Sequence, residues 1–319
     1  MNLNNTLYIV VPCYKEQEVL PETSKRLKEK VLQLRAQGKI SDKSRIMFVN
    51  DGSSDNTWPM IAQLHEQESD MFSGVNLSRN RGHQNALLAG LMTAVNYADM
   101  IISMDADLQD DINAVDGMVD AYHEGFEVVY GVRSKRDTDT FFKRFTAEGF
   151  YKVMLALGVN IVYNHADYRL MSRRAVEGLA QFKEVNLFLR GIVPQIGYKW
   201  TTVTYERAER FAGESKYPLK KMLAFAADGI TSFSVKPIRL VLTAGVIVFV
   251  VSLVMLLYAL ISKLMGSTTA GWTSLMGSIW LIGGIQLLSL GVIGEYIGKI
   301  YNETKARPRF IIENVLNKG

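Results

Sequence analysis

The string Asp105-Ala106-Asp107-Leu108-Gln109 follows the apolar run Met100 to Met104. If the chain stays extended past that run, the side-chain period of two places Asp105, Asp107 and Gln109 on one side. Hard oxygen donors so arranged suit Mg²⁺ or Mn²⁺, which binds one or two carboxylates and completes its shell with substrate phosphate oxygens. A lone Asp-x-Asp is weak evidence, because solvated loops contain it often. A second polar string, Asn50-Asp51-Gly52-Ser53-Ser54-Asp55, follows Arg45 to Val49. Asp55 or Thr57 can cap the helix containing Pro59, which leaves Asp51 placed to accept hydrogen bonds from a ribose or a uracil edge. Pro12, Tyr14 and Glu16 follow Leu7 to Val11, and Ser78-Arg79-Asn80 follows Phe72 to Leu77.

These strings are positioned by what precedes them. Leu7 to Val11, Arg45 to Val49, Phe72 to Leu77, Met100 to Met104 and Glu127 to Val132 are short apolar or β-branched runs. Stretches with helical spacing, such as Glu22 to Gln37 and Trp58 to Gln67, lie between them. Such βαβα order predicts an α/β fold with a mostly parallel sheet and helices on both faces, whose ligands bind at the carboxyl ends of the strands. Four strand ends carry polar clusters, so those clusters face one crevice.

Composition bounds the rest. Of 319 residues, 48% are hydrophobic and 21% charged, which excludes a disordered or collagen-like chain. A mean hydropathy of +0.05 is high for a purely soluble enzyme. The net charge of +4 is too small to imply a nucleic-acid partner. With Cys13 alone no intramolecular disulfide forms, in keeping with a reducing compartment. The apolar excess is concentrated in Val241 to Ile261 and Thr273 to Gly294, which hold no charged residue and reach the roughly 20 residues needed to cross a bilayer. Lys236 and Arg239 precede the first run, and Lys299, Lys305, Arg307 and Arg309 follow the second. The positive-inside rule then places both termini, and the residues before the first span, in the cytoplasm. Arg207, Arg210, Lys216, Lys220 and Lys221 precede Met222 to Val235, whose apolar positions suit an interfacial helix beside anionic lipid.

In this order, Val11-Pro12-Cys13-Tyr14-Lys15-Glu16, Asn50 to Asp55, Leu77-Ser78-Arg79-Asn80 and Asp105 to Gln109 resemble family 2 glycosyltransferases of the GT-A fold. Ala166 to Arg173, Arg210 to Tyr217, Gly294 to Gly298 and Ala306 to Arg309 are similar to the polyprenyl-phosphate branch, which includes bactoprenol glucosyltransferases and dolichol-phosphate mannose synthase. The resemblance implies a GT-A (Rossmann-like) cytosolic catalytic domain over 1–215, juxtamembrane interfacial helices over 216–237, two transmembrane helices over 238–299 and a cytosolic tail over 300–319. It implies inverting transfer of one hexose, from UDP-glucose or UDP-N-acetylglucosamine, to undecaprenyl phosphate in the cell membrane. By the same resemblance Pro12, Tyr14, Glu16, Asn50, Asp51, Ser53, Ser78, Asn80, Ala106 and Arg133 bind the nucleotide sugar. Asp105, Asp107 and Gln109 hold the metal, and Asp167 joins Asp105 and Asp107 as a catalytic carboxylate, orienting the acceptor or accepting its proton. A salt bridge to Arg169 or Arg173 is the structural alternative for Asp167. Arg169, Arg210, Ser215 and Lys216 receive the acceptor phosphate. A homo-oligomer, a tetramer in the family, is implied, with a flippase and a downstream glycosyltransferase as partners.

Two positions depart from the family pattern. Asn50 stands where many members carry Asp, and Asp110-Asp111-Ile112 replaces a proline-containing turn. The string Gln195 to Trp200 lacks the spacing of the processive signature and reads as a turn into a strand, so transfer of a single sugar is expected. A nucleotidyltransferase would call for a glycine-rich, lysine-bearing loop near the first strand, and Val11 to Glu16 has no glycine. An inactive membrane scaffold is disfavoured by the retained Asp105, Asp107 and Gln109.

Overall fold

The computed structural model describes residues 4–134, 165–185, 187–206, 236–265 and 271–318. Strands β1 (Leu7–Cys13), β2 (Arg45–Asn50), β3 (Phe72–Leu77) and β4 (Met100–Ser103) are buried along nearly their whole length, as parallel strands covered on both faces must be. Helices α1 (Leu20–Ala36), α2 (Thr57–Gln67) and α3 (His83–Ala94) connect them in turn. In α1, Pro21 occupies the first turn, where its missing N–H costs nothing, and Leu20, Leu27, Val31 and Leu34 form the stripe facing the sheet. Then follow α4 (Ala114–His123), β5 (Val128–Arg133), β6 (His165–Ser172), α5 (Arg173–Leu179), the single turn α6 (Leu189–Ile192), a 3₁₀ turn over Val193–Ile196 and β7 (Trp200–Tyr205). The turn into a strand expected near Gln195 to Trp200 is therefore present.

The strands form one eight-stranded sheet in the order β7-β5-β6-β4-β1-β2-β3-β8, where β8 is Ile312–Leu316. It is a GT-A-like mixed α/β sheet, less parallel than expected. β6 runs antiparallel between β4 and β5, and β8 runs antiparallel along β3. Both strands escaped the sequence pattern for physical reasons. β6 buries Asp167 and Arg169, so it lacks an apolar period, and β8 is a five-residue edge strand whose middle residues are exposed. Residues expected to be a C-terminal tail thus complete the sheet, with Asn317 Oδ1 accepting from Arg45 Nη1 at 3.0 Å.

The chain forms two compact units, one of Met1–Tyr151, Asn160–Pro218 and Arg307–Gly319, the other of Lys152–Val159 and Leu219–Ala306. In the second, α7 (Lys236–Leu264) and α8 (Trp272–Lys305) follow one another. Within α8, Gly277–Lys305 is long and apolar enough to cross a membrane and is not covered by protein. It is the one helix among the described residues that meets this measure; α7 contains the shorter apolar stretch Ile238–Val251.

Candidate active site

The parallel strands β1 to β4 end at one edge of the sheet, which gathers the polar strings that follow them. Antiparallel β6 brings its beginning to the same edge. Its register pairs Ser103 with Arg169, so continuing the ladder sets Asp167 beside Asp105. Arg133 ends β5 on this side as well, because β5 and β4 both run antiparallel to β6.

Past β4 the chain does not stay extended. It turns at Ala106 and Asp107, Leu108 adopts a left-handed φ of 56°, and Asp107 Oδ1 accepts the Gln109 N–H at 3.2 Å. The period-two placement of Asp105, Asp107 and Gln109 therefore does not hold; a tight turn presents them instead. A buried leucine at positive φ is strained by about 1–3 kcal/mol and persists where surrounding structure holds it. Thr23 Oγ1 does so from α1, donating to the Ala106 carbonyl at 2.8 Å. On the far side, buried Asp110 accepts the Tyr205 hydroxyl at 2.6 Å and lies 3.8 Å from Arg133 Nη2, while Arg133 Nε donates to the same hydroxyl at 3.3 Å. Burial, with Asp105 nearby, pushes the Asp110 carboxyl up to about 6 despite these partners.

Asp51 is only 2% exposed, and its two carboxylate oxygens accept the backbone N–H groups of Arg81 at 2.7 Å and Gly82 at 2.9 Å. It therefore shapes the turn between β3 and α3, a role the sequence reading did not foresee. Asn50 is likewise engaged inside the protein: Nδ2 donates to Asn76 Oδ1 at 2.7 Å, and Asn76 Nδ2 donates to Glu313 Oε2 at 2.8 Å, linking β2, β3 and β8. Gly52 has a φ of +59°, and a Cβ there would lie 2.4 Å from the Arg79 carbonyl carbon, so the loop bearing Ser78 and Asn80 rests directly on this glycine. Asp55 Oδ1 accepts from the Thr57 N–H and hydroxyl, but the N-cap of α2 is Asn56 and no side chain caps it, so the expected cap is instead a turn leading into the helix. Tyr14, Ser78 and Asn80 are exposed at the edge, Glu16 and Ser53 partly so, and Pro12 and Ala106 are buried beneath them. The Cys13 thiol is buried too and its pKa is raised by that burial.

Asp167 is the centre of an ion cluster. Its Oδ1 lies 2.6 Å from Arg169 Nη2, its Oδ2 lies 3.1 Å from Arg190 Nη2, and His83 Nε2 stands 3.7 Å from Oδ2. Burial alone would raise the Asp167 carboxyl, but Arg190 and Arg169, aided by His83, hold it far below the usual carboxylate range. A carboxylate held this strongly ionised is a poor proton acceptor and a good electrostatic anchor. The expected salt bridge to Arg169 is present; Arg173 instead faces Asp99, at 3.4 Å. Arg169 is 0% exposed and also reaches the Leu189 carbonyl, so it cannot meet an acceptor phosphate at the surface, and that expectation is corrected. His83 and Arg190 were missed by sequence reasoning. His83 opens the helix that follows the Ser78–Asn80 loop, which was a usable signal; Arg190 sits on a single turn with none. Arg210, Ser215 and Lys216, with Arg207, Lys220, Lys221 and Met222 to Val235, lie outside the described residues.

The fit of a divalent ion turns on Asp105. Its side chain is 39% exposed, yet Oδ1 is buried and makes no hydrogen bond among the described residues, with His83 Nε2 3.4 Å away. An orphaned carboxylate oxygen beside the Asp107 turn fits a hard cation that needs one or two carboxylates. No group of three or more His, Cys, Asp or Glu side chains is gathered to hold a metal among the described residues, so substrate oxygens would have to complete the shell.

Comparison with known proteins agrees with this geometry. The model of glycosyl transferase family 2 matches residues 8–179, and that of the GtrB C-terminal hairpin matches residues 236–300. The glycosyltransferase YkoT of Bacillus subtilis, itself uncharacterized, is 54% identical over 96% of this chain and 91% of its own. A prophage bactoprenol glucosyl transferase homolog of Escherichia coli is 38% identical over 96% of this chain and 98% of its own. The bactoprenol glucosyl transferase of Shigella phage SfV is 38% identical over 97% of this chain and 99% of its own. With its strand-end carboxylates inside the matched segment and its relatives aligned from end to end, the chain belongs to glycosyl transferase family 2 and is a glycosyltransferase.

Proposed function

We propose that the protein transfers one hexose, glucose first among candidates and N-acetylglucosamine second, from its UDP derivative to a polyprenyl phosphate such as undecaprenyl phosphate, with inversion at the anomeric carbon. The observation that carries the substrate class is the end-to-end match to bactoprenol glucosyl transferases at 38% identity. The acceptor phosphate is already anionic near neutral pH and needs no strong base, which accords with an Asp167 held ionised. Asp167, its oxygens held by Arg169 and Arg190, then orients the acceptor indirectly, by fixing the charged groups around it. The greater demand is charge growing on the departing diphosphate. Asp105, Asp107 and Gln109 would hold the divalent ion, which when bound supplies charge stabilisation to that diphosphate. Pro12, Tyr14, Glu16, Ser53, Ser78, Asn80 and Ala106 line the nucleotide side, with Arg133 toward the sugar diphosphate. Asn50 and Asp51 serve that side by shaping its loops. Arg210, Ser215 and Lys216 meet the acceptor phosphate.

The same reading places the catalytic unit at the cytoplasmic face of the cell membrane, with α7 and α8 both spanning it. The pairing of β8 with β3 supports an even number of crossings, since the chain rejoins the catalytic sheet after α8. Incubating membranes with labelled UDP-glucose or UDP-N-acetylglucosamine and undecaprenyl phosphate tests the function. Organic-extractable label from one donor is expected, and none from either donor would refute the reading.

A further inference from the structure

The cation that sequence reasoning places on a substrate phosphate, Arg169, is sealed between Ser103 of β4 and Tyr130 of β5. Arg190 grips the same carboxylate from outside. Its Nη2 lies 3.1 Å from Asp167 Oδ2, its Nε lies 3.4 Å from Asp167 Oδ1, and its side chain is 34% exposed. Asp167 already has a full counter-charge in Arg169 at 2.6 Å. Arg190 is the member of this group that reaches solvent.

The backbone around Arg190 is fixed. The Leu189 N–H donates to Gln84 Oε1 at 2.9 Å, and the Leu189 carbonyl accepts from Arg169 Nη1 at 3.4 Å. That fastens α6 to the start of α3, where His83 faces both Asp105 and Asp167. Arg190 therefore stands at the crevice bordered by the candidate metal carboxylates. A guanidinium is planar, always charged and matched to two oxygens of a phosphate, and one already aimed by a buried carboxylate needs little reorganisation to receive an anion.

We propose that Arg190 is a phosphate-binding residue, presenting its guanidinium to a phosphate oxyanion of a substrate, with Asp167 and Arg169 as the buried frame that aims it. This rests on the substrate reading above and assigns to Arg190 the contact that Arg169 cannot make. The oxyanion has two sources in that reaction, the acceptor monophosphate and the departing nucleoside diphosphate.

The test uses the full-length protein in detergent, titrated by calorimetry with two probes, a short-chain isoprenyl monophosphate and UDP in Mg²⁺ buffer. Arg190→Gln leaves Asp167 paired with Arg169; Arg190→Lys keeps the charge without the planar fork. Arg190→Gln is expected to weaken one probe roughly tenfold to a hundredfold, the size of a charge-assisted hydrogen bond, and Arg190→Lys to weaken it less. A loss confined to the isoprenyl phosphate assigns the acceptor, and a loss confined to UDP assigns the diphosphate. Wild-type Kd for both probes in Arg190→Gln, with a reduced kcat, would make Arg190 only a brace for Asp167 and overturn the proposal. Should Arg190→Gln lose its fold, Arg190→Lys decides at unchanged melting temperature: a several-fold loss for one probe supports the proposal, and unchanged affinity for both overturns it. If the wild type binds neither probe, the substrate reading falls as well, which separates the two failures.

Discussion

Replacing Asp110 by asparagine tests how the loop carrying Asp105 and Asp107 is held. Asp110 is buried, its Oδ1 accepting the Tyr205 hydroxyl, and its pKa is lifted from 3.8 to about 6. The folded state therefore binds a proton more tightly than the unfolded one. The stability that Asp110 contributes is fully present below about pH 4, falls as pH rises from about 4 to 6, and levels off above. At about 1.4 kcal/mol for each pH unit of displacement, the ionised carboxylate costs the fold about 3 kcal/mol at pH 7 relative to pH 4. Arg133 at 3.8 Å recovers only part of the desolvation cost. Asparagine keeps the acceptor oxygen for Tyr205 and removes the charge. Urea unfolding of wild type and Asp110→Asn, followed at pH 4, 5, 6 and 7, should show the variant gaining about 3 kcal/mol on the wild type across that range. A constant difference would mean that Asp110 titrates as an ordinary carboxylate, and the burial argument would be wrong.

Other outcomes follow from the site. Asp107→Asn should abolish turnover while leaving membrane insertion intact, and excess EDTA should do the same to wild type; full activity in either case removes the metal role. Gly52→Ala forces a Cβ to within 2.4 Å of the Arg79 carbonyl carbon at a φ of +59°, so it should cost at least about 1–3 kcal/mol and raise the KM for the nucleotide sugar, read by melting temperature and steady-state kinetics. An α-configured UDP-sugar should give a β-linked lipid phosphate, and an α product by NMR would contradict single displacement.

Much of the sheet was legible because β1 to β4 obey simple rules: doubly covered strands read as apolar runs, and the chain places polar residues where such strands end. β6 defied the same rules. Its buried positions hold Asp167 and Arg169, an ion pair that looks like surface composition until the partner is seen at 2.6 Å. β8 pairs with one neighbour only, so it needs no apolar face, and its backbone ladder with β3 is reinforced through Glu313, Asn76 and Asn50, a chain of side-chain hydrogen bonds with no sequence period. The departure of Asn50 from the family pattern is intelligible only there. An aspartate at position 50 would have no N–H to donate to Asn76 Oδ1, and turning the Asn76 amide to suit it would set two acceptors, Asn76 Oδ1 and Glu313 Oε2, against each other.

Asp51 and Asp105 show why strand-end acids are harder to assign than strands. Both follow a buried strand, and by residue type alone both are ligand acceptors. The protein supplies donors to one of them. The turn at Arg81 and Gly82 leaves two backbone N–H groups in need of acceptors, and Asp51 receives both, which is a stronger claim on a buried carboxylate than a ligand that comes and goes. Asp105 receives no such donors among the described residues and keeps its side chain partly open to the crevice. A carboxylate whose oxygens are filled by the fold builds the site, and one whose oxygen the fold leaves orphaned awaits something else. The cost of burying an unpaired acceptor, about 1–3 kcal/mol, is what makes the distinction physical, because a cation meeting Asp105 Oδ1 would offset it.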